Sequence, residues 1–311
     1  MTKSSEGSSI PGLTPPELLI FFHIPKTGGI TMKGLFQHCL PDQHFDADLD
    51  TPDSALLVRS TARIAEKFHQ LPPERRRAVR CVVGEHLEMD VDRIFDRPAK
   101  FFTILRDPVD RAVSNFFFNR TLTYLPCYPF IKNLTLEAYL DSGIGLDHDN
   151  HQVRMLSGCP ELDAPWDPEG RPISTPPVER WHLELAKRNI EDRFIVAATL
   201  DGMTALVWWF KKLYGWPLHK ALFQARNQTP NRPRLEAVSE ATRRRLAETN
   251  RYDIELYQWV KDRFTRQLEP LEPEFSREVR HFERLNRSVQ RLHRLSPRPV
   301  RNMARRLLFS T

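Results

Sequence analysis

Short apolar runs alternate with segments of helical period along most of this chain. Glu17–Ile24 (ELLIFFHI), Arg80–Glu85 (RCVVGE), Lys100–Leu105 (KFFTIL) and Phe194–Leu200 (FIVAATL) are nearly continuous in hydrophobic residues. That pattern predicts strands covered on both faces, as in a parallel sheet. Between them, apolar positions recur every three to four residues. Helices are predicted over Ala55–His69, Thr31–Cys39, Pro108–Asn119, Val178–Asn189, Met203–Tyr214 and Ser239–Phe264. In Pro108–Asn119 the stripe is Val109, Ala112, Val113, Phe116 and Phe117. Strands alternating with helices predict an α/β fold: a P-loop-like parallel sheet flanked by helices, in a single main domain. Residues 17–268 form that domain, after a flexible segment over 1–16. Pro160–Pro177, rich in Pro, Asp and Gly, reads as a surface loop.

Composition narrows the class. Hydrophobic residues make up 40% of the 311 and charged ones 28%, which fits a globular chain and excludes global disorder. No apolar run approaches the roughly 20 residues of a membrane span. Met1–Pro16 lacks the apolar centre of a secretory signal, so a soluble, cytoplasmic protein is expected. Cys39, Cys81, Cys127 and Cys159 show no CxxC pairing and read as reduced thiols, although Cys127 and Cys159 would be free to bridge under oxidising conditions.

The net charge of +6 is uneven. Arg277–Thr311 holds ten arginines against two glutamates, leaving the rest of the chain at −2. Residues 269–311 therefore read as a basic helical tail. Arg277, Arg280, Arg284, Arg287, Arg291 and Arg294 step by three and four and share one helix face. Val279, Phe282, Leu285, Val289 and Leu292 share the other, and Pro297 and Pro299 end the helix. Three uses fit: docking of the apolar face on the body, a homodimer seam, or a basic surface for a polyanion or acidic membrane. Specific nucleic-acid binding is not expected from a basic helix alone.

Two stretches carry anion chemistry. After the first strand comes His23-Ile24-Pro25-Lys26-Thr27-Gly28-Gly29-Ile30-Thr31. A strand end, a glycine turn and a helix start aim free N–H groups and the positive helix pole at one spot. Lys26 adds a mobile charge, and Thr27 and Thr31 add hydroxyls. A Walker A loop has its lysine after the glycines, whereas Lys26 precedes them. The third strand ends in Leu105-Arg106-Asp107-Pro108. Asp107 suits an N-cap and Pro108 the first helical turn, which puts Arg106 at the strand's C-terminal edge, the usual ligand side. Arg111 and Ser114 share a face of the following helix.

The order HIPKTGG resembles the 5′-phosphosulfate loop of sulfotransferases that use 3′-phosphoadenosine 5′-phosphosulfate (PAPS), in the carbohydrate and membrane-associated branch that includes the heparan sulfate 2-O-sulfotransferase-like proteins. LRDPVDRAVSNFFF, about 80 residues on, resembles the 3′-phosphate motif of the same branch. Asp149–Gly158 (DNHQVRMLSG), Asn227–Pro233 (NQTPNRP) and Asn250–Tyr257 (NRYDIELY) resemble its later segments, and together the likeness covers residues 18–265. It implies that Lys26, Thr27, Gly28, Gly29, Ile30 and Thr31 bind the 5′-phosphosulfate, Ile30 through its N–H alone where the branch usually has Thr or Ser. It implies Arg106 and Ser114 on the 3′-phosphate, and Asn150, Gln152 and Arg154 near the acceptor or the cofactor.

A Gly-His pair in the resembling family supplies the general base. Here Glu85 stands between Gly84 and His86. His86 is the first choice, since an imidazole titrates near 6.5, and Glu85 the second. No metal is required, and the mixed spacing of Asp147, His148, Asp149 and His151 does not suit one. The expected reaction moves a sulfuryl group from PAPS to a hydroxyl acceptor, expected to be a glycan. A P-loop-type nucleotide kinase or NTPase, and a non-catalytic PAP- or polyanion-binding protein, are the alternatives.

Overall fold

The computed structural model describes residues 10, 12–48, 60–85, 87–125, 127–142, 149–162, 176–224 and 232–295. In chain order the elements are β1 (Leu18–Phe22), α1 (Gly29–Cys39), β2 (His44–Asp46), α2 (Thr61–His69), α3 (Pro73–Ala78), β3 (Cys81–Gly84), β4 (Ala99–Leu105), α4 (Pro108–Asn119), α5 (Tyr128–Ile131), α6 (Leu136–Ser142), α7 (His151–Ser157), α8 (Arg180–Arg193), β5 (Phe194–Thr199), α9 (Met203–Tyr214), α10 (Leu218–Ala221), α11 (Glu240–Thr249), α12 (Arg251–Leu268) and α13 (Glu274–Leu295). The strands form one sheet in the order β2-β3-β1-β4-β5, and all its pairings are parallel. This is the α/β architecture expected from the alternating runs.

Alternation along β1 explains why its sequence is apolar throughout. Leu18, Ile20 and Phe22 face a core built with α2, α7, α8 and α12, whereas Leu19 and Phe21 face one built with α1, α9 and α13. All five residues are fully buried, so no polar position is tolerated on either face. A third, smaller cluster joins α4, α6 and α11 through Val113, Phe116, Tyr139, Leu140 and Leu246. The stripe predicted on α4 thus packs on helices beside the sheet.

Two features depart from the pattern reading. The short edge strand β2 (HFD) was not marked by any apolar run. The helix predicted over Ser239–Phe264 breaks at Asn250, whose Nδ2 donates to the Leu246 carbonyl while its Oδ1 accepts from the Asn150 N–H. The segment from residue 269, set apart as a basic helical tail, takes the first of the three uses open to it and docks, sending Phe275 and Phe282 into the second core, and Ile10 joins it from the other end of the chain. The four cysteines are buried. Among the described residues no helix is long and apolar enough to cross a membrane.

Candidate active site

The C-terminal ends of three adjacent strands build the site: Glu85 follows β3, the Lys26 turn follows β1, and Arg106 follows β4. In a parallel sheet this edge also carries the N-terminal, positive poles of the helices that follow the strands. The result is a cleft of about 810 Å³ lined by Lys26, Gly28–Thr31, Glu85, Arg106, Ser114 and Arg232, among others.

The turn after β1 is tightly constrained. Lys26 and Gly28 both have left-handed backbone, at φ of 69° and 90°, and Gly28 caps α1. A β-carbon on Gly29 would lie 1.8 Å from the His23 ring, so the turn packs directly on that imidazole. His23 is buried and stacks on Phe21. Burial, with Lys33 and Lys26 nearby and against the pull of Asp48, lowers it to about 4, so it is neutral at physiological pH. The Thr27 hydroxyl donates to the Ile24 carbonyl at 2.8 Å, so its side chain fastens the turn from within. Thr31 lines the cleft, and Ile30 lies 41% exposed at its wall.

Three cations crowd this space. The Lys26 ammonium lies 3.5 Å over the Phe118 ring. Burial lowers it to about 8, helped by Arg106 and Arg232 and opposed by Glu85. Arg106 donates to the Lys26 carbonyl at 2.9 Å and pairs with Asp110 at 2.5 Å. Arg232 reaches the other oxygen of the same carboxylate, and burial beside Arg106 lowers it to about 10. One carboxylate thus serves two guanidiniums while an ammonium stands beside them, and a multiply charged anion would relieve the excess. Arg232, Asp110 and Phe118 were not among the sequence candidates. The NQTPNRP stretch held the only signal for Arg232.

The remaining sequence candidates divide. Ser114 is buried and lines the cleft. Arg111 is fully buried outside the lining, where its charge acts on Asp253. Asn150, Gln152 and Arg154, expected near the acceptor or cofactor, also lie outside the lining, with their side chains bonded to main-chain groups and, for Asn150 and Arg154, to Asp149. Gln152 accepts from the Arg106 N–H at 2.9 Å and donates to the Arg106 carbonyl at 3.0 Å. Asn150 Oδ1 accepts from the N–H groups of Tyr252 and Asp253 and so caps α12. In return the Asp253 carboxylate accepts from the N–H groups of Gln152 and Val153 and caps α7. Arg154 is tied to Asp149 and the Pro176 carbonyl.

At the end of β3, Glu85 lines the cleft with its Oε1 3.8 Å from His23 Nε2. Its own N–H donates to Asp48 at 2.6 Å, and Asp48 pairs with Lys33 at 2.7 Å. His86 lies outside the described residues, as do His148 and the 225–231 segment. Away from the cleft, Cys159, Glu161 and His182 bring one donor atom each within 4.8 Å. His182 Nδ1 already accepts the Glu179 N–H at 2.9 Å, so the neutral ring carries its proton on Nε2 and has no lone pair left for a metal.

A parallel sheet whose first strand ends in a lysine-and-glycine cradle, with an Arg/Ser pair after the fourth, has the layout that the resemblance to PAPS-dependent sulfotransferases leads one to expect. The comparisons agree: the model of the galactose-3-O-sulfotransferase family matches residues 11–302, and the chain belongs to that family. Human heparan-sulfate 6-O-sulfotransferase 1 is 26% identical over 286 residues. That alignment covers 80% of this chain and 66% of the human protein, just under two thirds of the relative's length.

Proposed function

We propose that this sulfotransferase acts on a carbohydrate hydroxyl, with the base supplied by the Glu85–His86 end of β3. The convergence of Lys26, Arg106 and Arg232 on one cleft carries the reading, because three mutually repelling cations beside a glycine-built helix N-terminus suit a ligand with two separate phosphate groups. The cleft of about 810 Å³ lies within the size range of cofactor pockets. When bound, PAPS supplies an activated sulfuryl group and departs as 3′-phosphoadenosine 5′-phosphate (PAP).

This chain's residues then have distinct tasks. Lys26 and the α1 N–H groups stabilise the negative charge that grows on the 5′-phosphate side, where preorganised donors act most strongly. Arg106, Ser114 and Arg232 hold the 3′-phosphate, and Gln152 fixes the Arg106 main chain. The base removes the proton of the acceptor hydroxyl as that oxygen bonds to sulfur and the bond from sulfur to the bridging oxygen breaks. His86 is the base in this reading, because an imidazole ordinarily titrates near neutral pH. Glu85 is the second choice, favoured by its place in the cleft lining.

Radiolabelled transfer from PAPS to a panel of neutral and acidic glycans, with calorimetric titration of PAP, tests the proposal. Micromolar PAP binding and label on a sugar hydroxyl are expected. Absence of PAP binding at millimolar concentration, or label on tyrosine peptides alone, overturns it. His86→Ala should abolish transfer while PAP affinity is kept. If His86→Ala is active and Glu85→Gln is not, the base is Glu85.

A further inference from the structure

Helix α13 has two faces with different fates. Its apolar face is consumed by the body. Phe275 and Phe282 are buried in the second core, with Val279, Leu285 and Val289 packed beside them. The Trp208 ring lies 5.1 Å from that of Phe282, tilted by 36°, and its N–H donates to Glu278, which also pairs with Lys212 at 2.7 Å. Asn286 accepts from the Phe223 N–H at 3.0 Å, and Gln290 donates to the Phe223 carbonyl at 2.8 Å. These contacts fix the rotation of the helix. They also use the positions that a dimer seam or a bilayer would need.

The outward face is a row of arginines. Arg277, Arg280, Arg284, Arg287 and Arg291 are all exposed. At 1.5 Å per residue the row is about 21 Å long. Among the described residues its one carboxylate contact is Glu283 to Arg287, at 3.7 Å and solvent-exposed, a pair worth little. The row also has a direction. Phe223, bonded to Asn286 and Gln290, lines a small hollow with Thr31 and Gly34 of α1, and Thr31 belongs to the wall of the active-site cleft. The Arg287–Arg291 end therefore lies on the side of the donor cradle.

We propose that this row is an exosite for a linear anionic glycan, the sulfated or carboxylated chain whose hydroxyl enters the cleft. A straight ladder of arginines on a helix fixed to the body matches the repeated charges of such a chain. Each guanidinium offers paired donors to a sulfate or carboxylate. The inference rests on the carbohydrate reading above and adds to it where the acceptor is held and what charge it bears.

The test uses the full chain, a fluorescent heparin dodecasaccharide as probe, and the triple variant Arg280→Ala, Arg284→Ala, Arg287→Ala. Alanine is the best helix former, so the variant should keep its fold, checked by thermal melting. Wild type is expected to bind the probe with an affinity that falls steeply with salt. The variant should bind at least tenfold more weakly and show a shallower salt slope, with PAP affinity unchanged. Equal probe binding by the two proteins overturns the exosite. So does tighter wild-type binding to single-stranded DNA of matched charge or to phosphatidylserine vesicles. Failure of wild type to bind PAP would remove the sulfotransferase reading itself, a result separable from failure of the heparin arm.

Discussion

The two ends of the sheet's strands both carry basic hollows, but they meet helix poles of opposite sign. At the far edge, Glu17, His69, Arg76, Arg77, Arg80, Asp96 and Arg97 line a cleft of about 490 Å³. The chain topology delivers helix C-termini there, the negative poles of α2 and α3. Arg97 spends its guanidinium on the carbonyls of Arg76, Arg77 and Val79, and Lys100 likewise reaches the Asp192 carbonyl near the end of α8. Those cations answer the fold's own charge. At the near edge helix N-termini arrive instead, so Lys26, Arg106 and Arg232 add positive charge to positive poles and have Asp110 and Glu85 as counterweights. Concavity and arginine count do not distinguish the two hollows; the sign of the helix poles does.

Lys26→Ala should separate the edges most sharply, lowering kcat/KM for transfer at least 100-fold, because it removes the charge placed to stabilise the leaving group. A variant keeping more than a tenth of wild-type activity would remove Lys26 from that role. Arg106→Ala is expected to weaken PAP binding about 10- to 100-fold, the range of a lost charged hydrogen bond, read by calorimetry. A third outcome concerns pH. Burial pushes Lys26 down to about 8, so PAP affinity should fall up to about tenfold per pH unit above that value. Lys26→Arg, which stays charged, should flatten the profile. Stability runs the other way. Between about 8 and the ordinary lysine value the folded state holds fewer protons than the unfolded one, so this group's contribution rises with pH. A falling contribution in that window, obtained by comparing melts of wild type and Lys26→Arg, would contradict the burial of Lys26. Least of all, the double variant Arg76→Ala, Arg77→Ala should change PAP affinity less than twofold, and a larger loss would erase the distinction between the edges.

How much was legible beforehand follows the range of each interaction. The runs in β1, β3, β4 and β5 were readable because burial on both faces imposes local composition, and the Lys26 and Arg106 turns were readable because each is a short contiguous motif. Arg232 was not, since its placement depends on Asp110, 122 residues earlier. Asn150, Gln152 and Arg154 show the same limit. Their residue types suggest ligand contact, yet the Asn150 side chain bonds main-chain groups of Thr249, Tyr252 and Asp253, the Gln152 side chain those of Arg106, and Arg154 the nearby Asp149, and side chain-to-backbone bonds across such separations leave no periodic trace. Asn250 likewise broke a helix that local propensity would have continued.

The reciprocal capping of α7 and α12 has a practical corollary. Each helix start is completed by a side chain from the other, and Gln152, seated in that clasp, grips the strand end that presents Arg106. A version of the protein ending before Asn250 would therefore lose more than its last fifth: the cleft at the ends of β1, β3 and β4 would be left without its buttress.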